Sequence, residues 1–420
     1  MNIVLLSGGS GKRLWPLSND TQSKQFLKLL KNDRGEPESM VQRVMRQIRE
    51  AWPDAFVIVT CNEAHKDILA RQLGNVAEYV AEPSRRDTFP AIAYAAAWLH
   101  SEKGLPLDER IVVCPIDVFA EKEYFELLSE VEALADMHSI GLMGALPTYP
   151  SVKYGYIVGE RGKDASLVEK PTEDKAGRLI EKGAHWNCGV FGVKLGYVLE
   201  KAAKYVPNVD FRNLAQNYGK LPAVSFDYEV VEKEASIGFT VYRGAWKDLG
   251  TWNTLTEEMG RETVGTGVLV AENSKNTHVL NMLNIPVIVQ DASDLVVVAS
   301  YDGILVTSKQ GSSFIKPLAD RISSEPMYAQ CEWGNYRVLD KSEHLSVKLM
   351  KIDAGKTMEC GECLSGSHVW VVARGRGILS NGGKETAVNS GCSIVLRCEE
   401  KVSLLAATEM EVAEIHIYIE

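Results

Sequence analysis

The sequence predicts an α/β fold in its N-terminal part, followed by two regions built from β-strands. From residue 1 to about 260, short apolar runs alternate with longer helix-like segments, a pattern typical of a sheet covered by helices on both faces. Beyond residue 262 the helical pattern stops and short β-type runs follow one another. The chain has 420 residues, more than a single hydrophobic core usually holds, so several domains are expected.

The N-terminal region contains an alternating series of predicted strands and helices. Strands that are buried on both faces read as nearly continuous apolar runs, whereas helices need longer segments. The strands are expected at 2–6, 55–60, 110–115 and 140–145, and the helices at 39–52, 65–73, 90–102 and 124–137. We assign residues 1–261 to this domain and expect a mostly parallel sheet.

The remainder of the chain divides into two predicted β-rich regions. Residues 262–330 contain five short apolar runs separated by Asn, Asp, Ser or Gly, and stacked β-coils would bury such runs together. This favours a short β-helix-like segment, although the period is irregular. Residues 331–420 alternate apolar runs with glycine-rich turns, which predicts an antiparallel β-barrel or sandwich.

Composition and charge exclude several function classes. The formal net charge of −10 argues against a nucleic-acid partner, because such binding depends on clustered Lys and Arg. No stretch reaches the roughly 20 apolar residues of a membrane span, and the N-terminal apolar run is too short for a signal peptide. We therefore expect a cytoplasmic protein. Its 8 cysteines are expected to be reduced, and the pair Cys360 and Cys363 leaves a zinc or redox role as the less favoured alternative.

The glycine-rich stretch LSGGSGKRLWPLS, residues 6–18, follows the first predicted strand and suits phosphate binding. A P-loop needs Ser or Thr after Gly-Lys, but Arg13 stands there. A dinucleotide fingerprint needs a small residue where Leu14 stands. With both readings excluded, the backbone of residues 8–11 can wrap a triphosphate, while Arg13 and Lys24 supply positive charge.

This stretch, with SKQFL at 23–27, resembles the signature of sugar-1-phosphate nucleotidyltransferases, specifically the mannose-1-phosphate guanylyltransferase family. Further segments resemble family motifs in the family's order. They are EPSRRDTFPAI (82–92), CPID (114–117), YGYI (154–157), VEKP (168–171), NCGVF (187–191), SFDYEVVE (225–232) and WKDLGTW (246–252). The matching motifs span about 250 residues, which favours the resemblance strongly over chance.

The resemblance implies a fold and a reaction. The fold would be a Rossmann-like, GT-A-like mixed sheet with helices on both faces, then the β-helix-like segment and a cupin-like barrel. The reaction would be in-line attack by a hexose 1-phosphate, foremost α-D-mannose 1-phosphate, on the α-phosphorus of GTP, giving GDP-mannose and pyrophosphate. Mg²⁺ is the implied cofactor, since it prefers carboxylate oxygens and bridges phosphates. A homodimer is also expected.

The resemblance also assigns roles to individual residues. Arg13 and Lys24 are the catalytic cations, and Asp117 and Asp248 are the metal ligands. The expected nucleotide-binding residues are Leu6, Gly8, Gly9, Ser10, Gly11, Lys12 and Arg85. The expected sugar-phosphate-binding residues are Gly155, Glu169, Lys170, Asn187 and Asp227. For Arg85 and Arg86 an exposed charged loop is an equal alternative, and for Asp227 a helix cap competes.

The chain departs from the family pattern at several motif positions. Lys12, Ser23, Asp87, Phe89 and Val118 replace the usual threonine, proline, asparagine, alanine and histidine. Asp87 exchanges a donor and acceptor for an acceptor alone, so the sugar and base preferences stay open. The alternatives are therefore another sugar 1-phosphate, another nucleoside triphosphate, or a non-catalytic sugar-nucleotide sensor.

The barrel region resembles the mannose-6-phosphate isomerase cupin that is fused to longer family members. The resemblance places His368 at the usual glutamate and Val369 at the usual histidine, and the family's preceding histidines fall near Cys363. We therefore expect a barrel without isomerase activity that contacts a partner subunit or the catalytic domain. A zinc site of Cys360, Cys363 and His368 is the lesser alternative.

Overall fold

The computed structural model describes residues 1–8, 12–19, 22–322, 325–360, 367–397 and 402–418, with the backbone alone at Cys360 and Arg397. The contacts divide the chain into two compact units. The first comprises residues 1–10, 25–250 and 257–259, and the second comprises residues 11–24, 251–256 and 260–420. The second unit thus takes residues 11–24, which include the later part of the glycine-rich stretch, together with both β-rich regions. The division at residues 261 and 330 stays a prediction.

The first unit contains thirteen strands and nine α-helices among its described residues. The strands are β1 (Asn2–Leu6), β2 (Leu30–Lys31), β3 (Pro37–Glu38), β4 (Phe56–Asn62), β5 (Glu78–Glu82), β6 (Arg110–Pro115), β7 (Val118–Phe119), β8 (Ile140–Ala145), β9 (Tyr156–Val158), β10 (Ser166–Val168), β11 (His185–Lys194), β12 (Ile237–Tyr242) and β13 (Lys247–Asp248). The helices are α1 (Met40–Ala51), α2 (Lys66–Leu73), α3 (Thr88–Ser101), α4 (Lys122–Glu126), α5 (Leu128–Leu134), α6 (Glu173–Glu181), α7 (Leu195–Ala203), α8 (Phe211–Asn217) and α9 (Phe226–Glu229).

Nine of these strands form one mixed sheet. Strands β5, β4, β1 and β6 are parallel neighbours in that order. Strand β11 then runs antiparallel to β6, β8 and β9, and β12 pairs in parallel with β8. The sheet is therefore mixed, as the family resemblance implied, and less parallel than strand alternation alone predicted.

Helices cover both faces of this sheet, because alternate side chains of each strand join different cores. On β1, Ile3 and Leu5 pack with α1, α2, α4 and α5, whereas Val4 and Leu6 pack with α3, α7 and α9. The predicted helix at 124–137 is two helices instead of one. The N–H of Glu130 bonds to the carbonyl of Leu127 three residues back, and this tighter turn separates α4 from α5.

The second unit adds sixteen strands and two short helices within its described residues. The strands are β14 (Thr263–Gly265), β15 (Val268–Val270), β16 (His278–Asn281), β17 (Val287–Val289), β18 (Leu295–Ser300), β19 (Gly303–Ser308), β20 (Tyr328–Cys331), β21 (Gly334–Lys341), β22 (Leu345–Ile352), β23 (Thr357–Cys360), β24 (Ser367–Arg374), β25 (Arg376–Asn381), β26 (Lys384–Asn389), β27 (Ser393–Arg397), β28 (Val402–Ala406) and β29 (Met410–Ile417). The helices are α10 (Trp252–Glu258), most of which belongs to this unit, and α11 (Lys316–Ala319).

The segment from β14 to β19 stacks short strands in parallel. Strands β14, β16 and β18 form one ladder, and β15 pairs with β17 in another. Polar side chains 18 residues apart bond between successive layers, as Asn276 Nδ2 does to Asp294 Oδ1 at 2.7 Å. Only the final pair, β18 with β19, is antiparallel. These ladders fit stacked coils, and the β-helix assignment stays a prediction.

Strands β20 to β29 form two antiparallel sheets around one core, which confirms the predicted barrel or sandwich. The larger sheet has the order β20-β21-β22-β29-β24-β27, and the smaller has the order β23-β28-β25-β26. Trp370 and Val412 from the larger sheet meet Leu404 and Leu379 from the smaller one in a shared apolar cluster. Across the described part of the chain, we find no helix of the length and hydropathy that a membrane crossing requires.

Candidate active site

Two adjoining cavities open in the first unit where parallel strands end. Leu6, Glu82 and Pro115 are the last residues of β1, β5 and β6, and all three line cavities. The smaller cavity has a volume of about 180 Å³ and the larger one about 330 Å³. Both are lined by Pro115, Asp117, Gly189 and Asp227. The carboxyl ends of strands are where open α/β sheets bind ligands.

Asp117 and Asp248 come together through a short strand pair. Strand β13 runs antiparallel to β7 with Asp248 opposite Val118, and Leu249 N–H donates to the Asp117 carbonyl at 3.3 Å. Burial, and then the negative charges of Asp248 and Asp117, raise the pKa of Tyr154, which lines the same cavity. The two predicted metal ligands therefore face one small volume.

The donor set fits Mg²⁺ held jointly by protein and substrate. Carboxylate oxygens are the ligands Mg²⁺ prefers, and it commonly takes one or two of them beside substrate phosphates. Among the described residues, no group of three His, Cys, Asp or Glu side chains is placed to hold a metal alone. The pair Asp117 and Asp248 thus suits an ion that phosphate oxygens complete.

The predicted sugar-binding residues meet in the smaller cavity. Its lining includes Gly155, Glu169, Asn187 and Asp227. Asn187 Nδ2 donates to Asp227 Oδ1 at 2.7 Å, and Asn187 N–H donates to the Gly155 carbonyl at 2.8 Å. A Cβ atom at Gly155 would overlap Glu169 Oε2, so glycine is required for this close approach. Four of the five predicted sugar-phosphate residues thus line one cavity, and their binding of a sugar phosphate stays a prediction.

A bulge in β11 presents three consecutive residues to this cavity. The register with β8 shifts between Asn187 and Phe191, and Gly189 has a φ of 69°, a conformation that favours glycine. The Gly189 N–H donates to Asn187 Oδ1 at 3.1 Å, which fixes the amide orientation. Asn187, Cys188 and Gly189 consequently all line the cavity.

Lys170 is held by a protein carboxylate. Its Nζ lies 2.8 Å from Glu169 Oε1 and 5.4 Å from the centre of the Tyr228 ring. Burial works to lower the pKa of Lys170, but the hydrogen bond and charge of Glu169 outweigh it and raise that pKa. Among the described residues that line the two cavities, Lys170 does not occur. Lys170 therefore neutralises Glu169 beside the cavity, and its contact with substrate phosphate stays a prediction.

Asp227 lies at the start of a helix, and its pKa is raised. It lies in the first turn of α9, and burial followed by the charge of Glu169 raises the pKa of Asp227 well above its usual range. A carboxyl group that is partly protonated at neutral pH can both donate and accept hydrogen bonds. The helix is capped by Ser225, whose side chain accepts from Tyr228 N–H. Because Ser225 caps this helix, Asp227 does not serve as its cap.

The larger cavity contains Leu6, Gly8 and Arg85 of the predicted nucleotide-binding set. Glu82 also lines it and accepts a hydrogen bond from Tyr218 Oη at 2.6 Å. Burial, reinforced by the charge of Asp87, raises the pKa of Glu82 to about 7 against the opposing effects of Tyr218 and Arg85. Glu82 is not among the residues predicted from sequence, although it begins the EPSRRDTFPAI motif.

The other residues of that motif divide between cavity and scaffold. Asp87 lines the cavity with a φ of 73°, and its Oδ1 accepts from Thr88 N–H at 2.7 Å at the start of α3. Arg86 Nε donates to the Leu221 carbonyl at 3.0 Å, so Arg86 also connects the motif to the scaffold. Lys153 and Tyr154, which precede Gly155 and line the smaller cavity, are likewise not among the residues predicted from sequence.

The remaining predicted phosphate-binding residues fall elsewhere. Gly9, Ser10 and Gly11 lie outside the described residues. Lys12, Arg13 and Lys24 belong to the second unit, where Arg13 is exposed and Lys12 Nζ lies 4.0 Å from Asp320 Oδ1. Their contacts with a triphosphate stay predictions.

His368 in the sandwich takes part in a polar cluster. Its Nδ1 lies 3.1 Å from Glu414 Oε1, which also accepts from Trp370 Nε1 at 3.1 Å, and its ring stacks on His416. Burial chiefly lowers the pKa of His368. Cys363 and the Cys360 side chain lie outside the described residues, so the zinc alternative stays a prediction.

Several known proteins resemble this chain in sequence or fold. The nucleotidyl transferase family model matches residues 2–263. The chain is 28% identical to a mannose-1-phosphate guanylyltransferase of Sinorhizobium fredii, over 94% of this chain and 83% of that protein. It is 30% identical to the xanthan biosynthesis protein XanB of Xanthomonas campestris, over 90% and 87% of the two chains. A solved Thermus thermophilus structure, described as a mannose-1-phosphate geranyltransferase, superposes with a TM-score of 0.64 and 26% identity, covering 77% of this chain and 99% of its own.

Proposed function

Because the chain belongs to the nucleotidyl transferase family, we propose that it joins α-D-mannose 1-phosphate to GTP, forming GDP-mannose and pyrophosphate. The anionic oxygen of the sugar phosphate attacks the α-phosphorus, and the bond to the departing pyrophosphate breaks. Two polyanions must meet, so the protein has to neutralise charge and hold the reacting groups in line. No protein nucleophile takes part.

We assign the smaller cavity to the sugar 1-phosphate. Asn187 and Glu169 bind hydroxyl groups, and Asp227 donates or accepts according to its protonation. The missing side chain at Gly155 lets the sugar approach the backbone. Because Asn187 is fixed by both Asp227 and the Gly189 N–H, its amide is already oriented before the sugar binds.

We assign the larger cavity to the nucleoside part of GTP, with Leu6, Gly8 and Arg85 as contacts. The phosphates then lie near Asp117, which both cavities share. Mg²⁺ held by Asp117 and Asp248 would neutralise phosphate charge and polarise the α-phosphate. In this proposal, the backbone of residues 8–11 with Lys12, Arg13 and Lys24 supplies the remaining contacts to the triphosphate.

The proposal rests chiefly on one observation, that two adjoining cavities share Asp117. One cavity holds the sugar-type residues and Asp248, and the other holds the residues after β1 and β5. A transferase needs two adjoining substrate sites with charge neutralisation where they meet. A sensor needs only one ligand site.

The experiment is a pyrophosphate-release assay with mannose 1-phosphate and each of the four nucleoside triphosphates, with and without Mg²⁺. We expect release with GTP and Mg²⁺, and loss of release with EDTA. Fucose 1-phosphate and a heptose 1-phosphate test the sugar. Absence of release with every pair would favour the sensor and contradict the proposal.

Asp248→Asn gives the matched test of the metal ligands. It should lower Mg²⁺-dependent turnover by at least about 100-fold, because a neutral amide holds the ion poorly. Asp136→Asn, which removes an exposed carboxylate 2.8 Å from Arg110, is the control and should keep its activity. Full activity of Asp248→Asn would remove it from the metal site. We also expect the protein to be a cytoplasmic homodimer. Light scattering after gel filtration measures the molar mass and so tests the dimer.

A further inference from the structure

Lys153 is an exposed residue that lines a cavity whose other charged residues are acidic. It lies between β8 and β9, and its backbone N–H donates to Ser151 Oγ at 3.1 Å. Ser151 is buried, and its carbonyl accepts from Tyr156 Oη at 3.0 Å. The next residue, Tyr154, packs edge-on against Trp246 at 5.1 Å between ring centres. The backbone that carries Lys153 is thus anchored on both sides.

The lining of the smaller cavity is unbalanced in charge. It includes the carboxyl groups of Asp117, Asp248, Glu169 and Asp227, and, within the described lining, Lys153 is the sole basic side chain. In the part of the chain that the structure describes, no carboxylate lies within 4.0 Å of Lys153 Nζ. Its ammonium group is therefore available to a ligand, unlike that of Lys170, which Glu169 holds.

A phosphate dianion in this cavity would need a cation from the protein. Glu169 is already neutralised by Lys170, and the raised pKa of Asp227 reduces its charge at neutral pH. A divalent ion would balance Asp117 and Asp248. Lys153, as a lining residue of this cavity, is therefore placed to offset the charge of the substrate beside the predicted contact from Lys170.

The position of Lys153 selects which phosphate it meets. It is two residues from Gly155, which approaches Glu169, and it lines the same cavity as Asp117 and Asp248. The 1-phosphate of a bound sugar has to lie between its hydroxyl-binding groups and the metal-binding carboxylates. We propose that Lys153 binds the phosphate of the sugar 1-phosphate, an assignment that rests on the proposed function. A lysine suits this role as a compact, mobile point charge.

The test compares the steady-state kinetics of wild type, Lys153→Ala, Lys153→Met and Lys153→Arg. Hydrogen bonds to charged groups contribute enough that Lys153→Ala should raise KM for mannose 1-phosphate about 10- to 100-fold. KM for GTP should change less than about twofold. Lys153→Met keeps the apolar stem and should behave like Lys153→Ala, whereas Lys153→Arg should recover most of the loss. Lys163→Ala, which removes an exposed lysine paired with Glu160, is the control and should match wild type.

A binding measurement separates this proposal from the proposed function. Calorimetry with mannose 1-phosphate and with mannose should show that Lys153→Ala weakens only the phosphorylated ligand. This comparison holds even if wild type releases no pyrophosphate, which would contradict the function alone. Equal weakening of both ligands, unchanged affinity for mannose 1-phosphate, or a rise confined to the KM for GTP would overturn the role of Lys153.

Discussion

Very close contacts fix the positions of individual side chains in and beside the smaller cavity. Gly155, Glu169 and Lys170 form a chain in which a backbone without Cβ admits a carboxylate, and that carboxylate holds an ammonium group. The motifs YGYI and VEKP identified these residues from sequence. The contact between them needed the fold, because antiparallel pairing of β9 with β10 brings the two motifs together.

Gly155→Ala tests this contact. The added methyl group would overlap Glu169 Oε2 and displace it, at an overpacking cost of about 1–3 kcal/mol. We expect KM for mannose 1-phosphate to rise about tenfold or more while KM for GTP changes little. Gly177→Ala is the matched control, since a Cβ there meets open space in α6 and alanine favours a helix by about 1 kcal/mol. Unchanged sugar-phosphate kinetics in Gly155→Ala would contradict the packing argument.

Glu82 makes stability depend on pH. Its pKa is raised from 4.5 to about 7 in the folded protein, mainly by burial, so the folded state binds this proton more tightly than the unfolded state. The contribution of Glu82 to the free energy of unfolding therefore falls as pH rises from about 4.5 to 7. Glu82→Gln has no such titration. It should gain about 1–2 kcal/mol over wild type between pH 4.5 and 8, allowing for solvent screening.

Urea unfolding without nucleotide, repeated across this pH range, measures the difference. Glu78→Gln is the control, because Glu78 lies exposed on the same strand and pairs with Lys103. A stability difference between Glu82→Gln and wild type that stays constant with pH would refute the assignment.

At the scale of elements, helix α1 shows which local features a sequence predicts well. Its N-cap Ser39 accepts from Gln42 N–H at 3.3 Å, and the Gln42 side chain accepts from Ser39 N–H at 3.2 Å, forming a capping box. The expected helix at 39–52 therefore agrees closely with Met40–Ala51. The bulge in β11 had no comparable local signal, because it arises from pairing with β8.

Ser39→Ala should lower the free energy of unfolding by about 1–2 kcal/mol, since it removes the cap and the 2.6 Å hydrogen bond from Ser39 Oγ to Gln72 Oε1. Hydrogen exchange of the α1 amides gives a local measurement. Thr172→Ala serves for comparison, because Thr172 caps α6 without a side-chain hydrogen bond. Its effect should stay below about 0.5 kcal/mol. Equal effects of the two substitutions would show that the capping box contributes nothing measurable.

At the scale of the whole molecule, residues 11–24, the segment that carries Arg13 and Lys24, belong to the second unit. Asn19 Nδ2 donates to Asp302 Oδ2 at 2.7 Å, Ser300 Oγ donates to the Pro16 carbonyl at 2.9 Å, and Trp252 Nε1 donates to the Trp15 carbonyl at 3.1 Å. The region that follows the predicted catalytic domain therefore supports the segment carrying Arg13 and Lys24.

Asp302→Ala should weaken this support, because Asp302 also accepts from Met327 N–H at 2.6 Å through its other oxygen. We expect KM for GTP to rise about three- to tenfold, with KM for mannose 1-phosphate unchanged, from the loss of hydrogen bonds to a charged group. Asp340→Ala, at an exposed position of β21, is the control. A rise in KM for mannose 1-phosphate alone would contradict the proposed role of the segment.

The sequence by itself determined the succession of strands and helices in the first unit, the change to β-structure after residue 262, and the residue types of the site. These features are local, because periodicity reports burial along one segment and motifs report chemistry at fixed spacing. The tertiary structure alone decided that Asp117 and Asp248 line one cavity beside β7 and β13, that Glu169 holds Lys170, and that Lys153 lines the same acidic cavity. Such contacts join segments far apart in the chain, and strand pairing and packing set them rather than any local pattern.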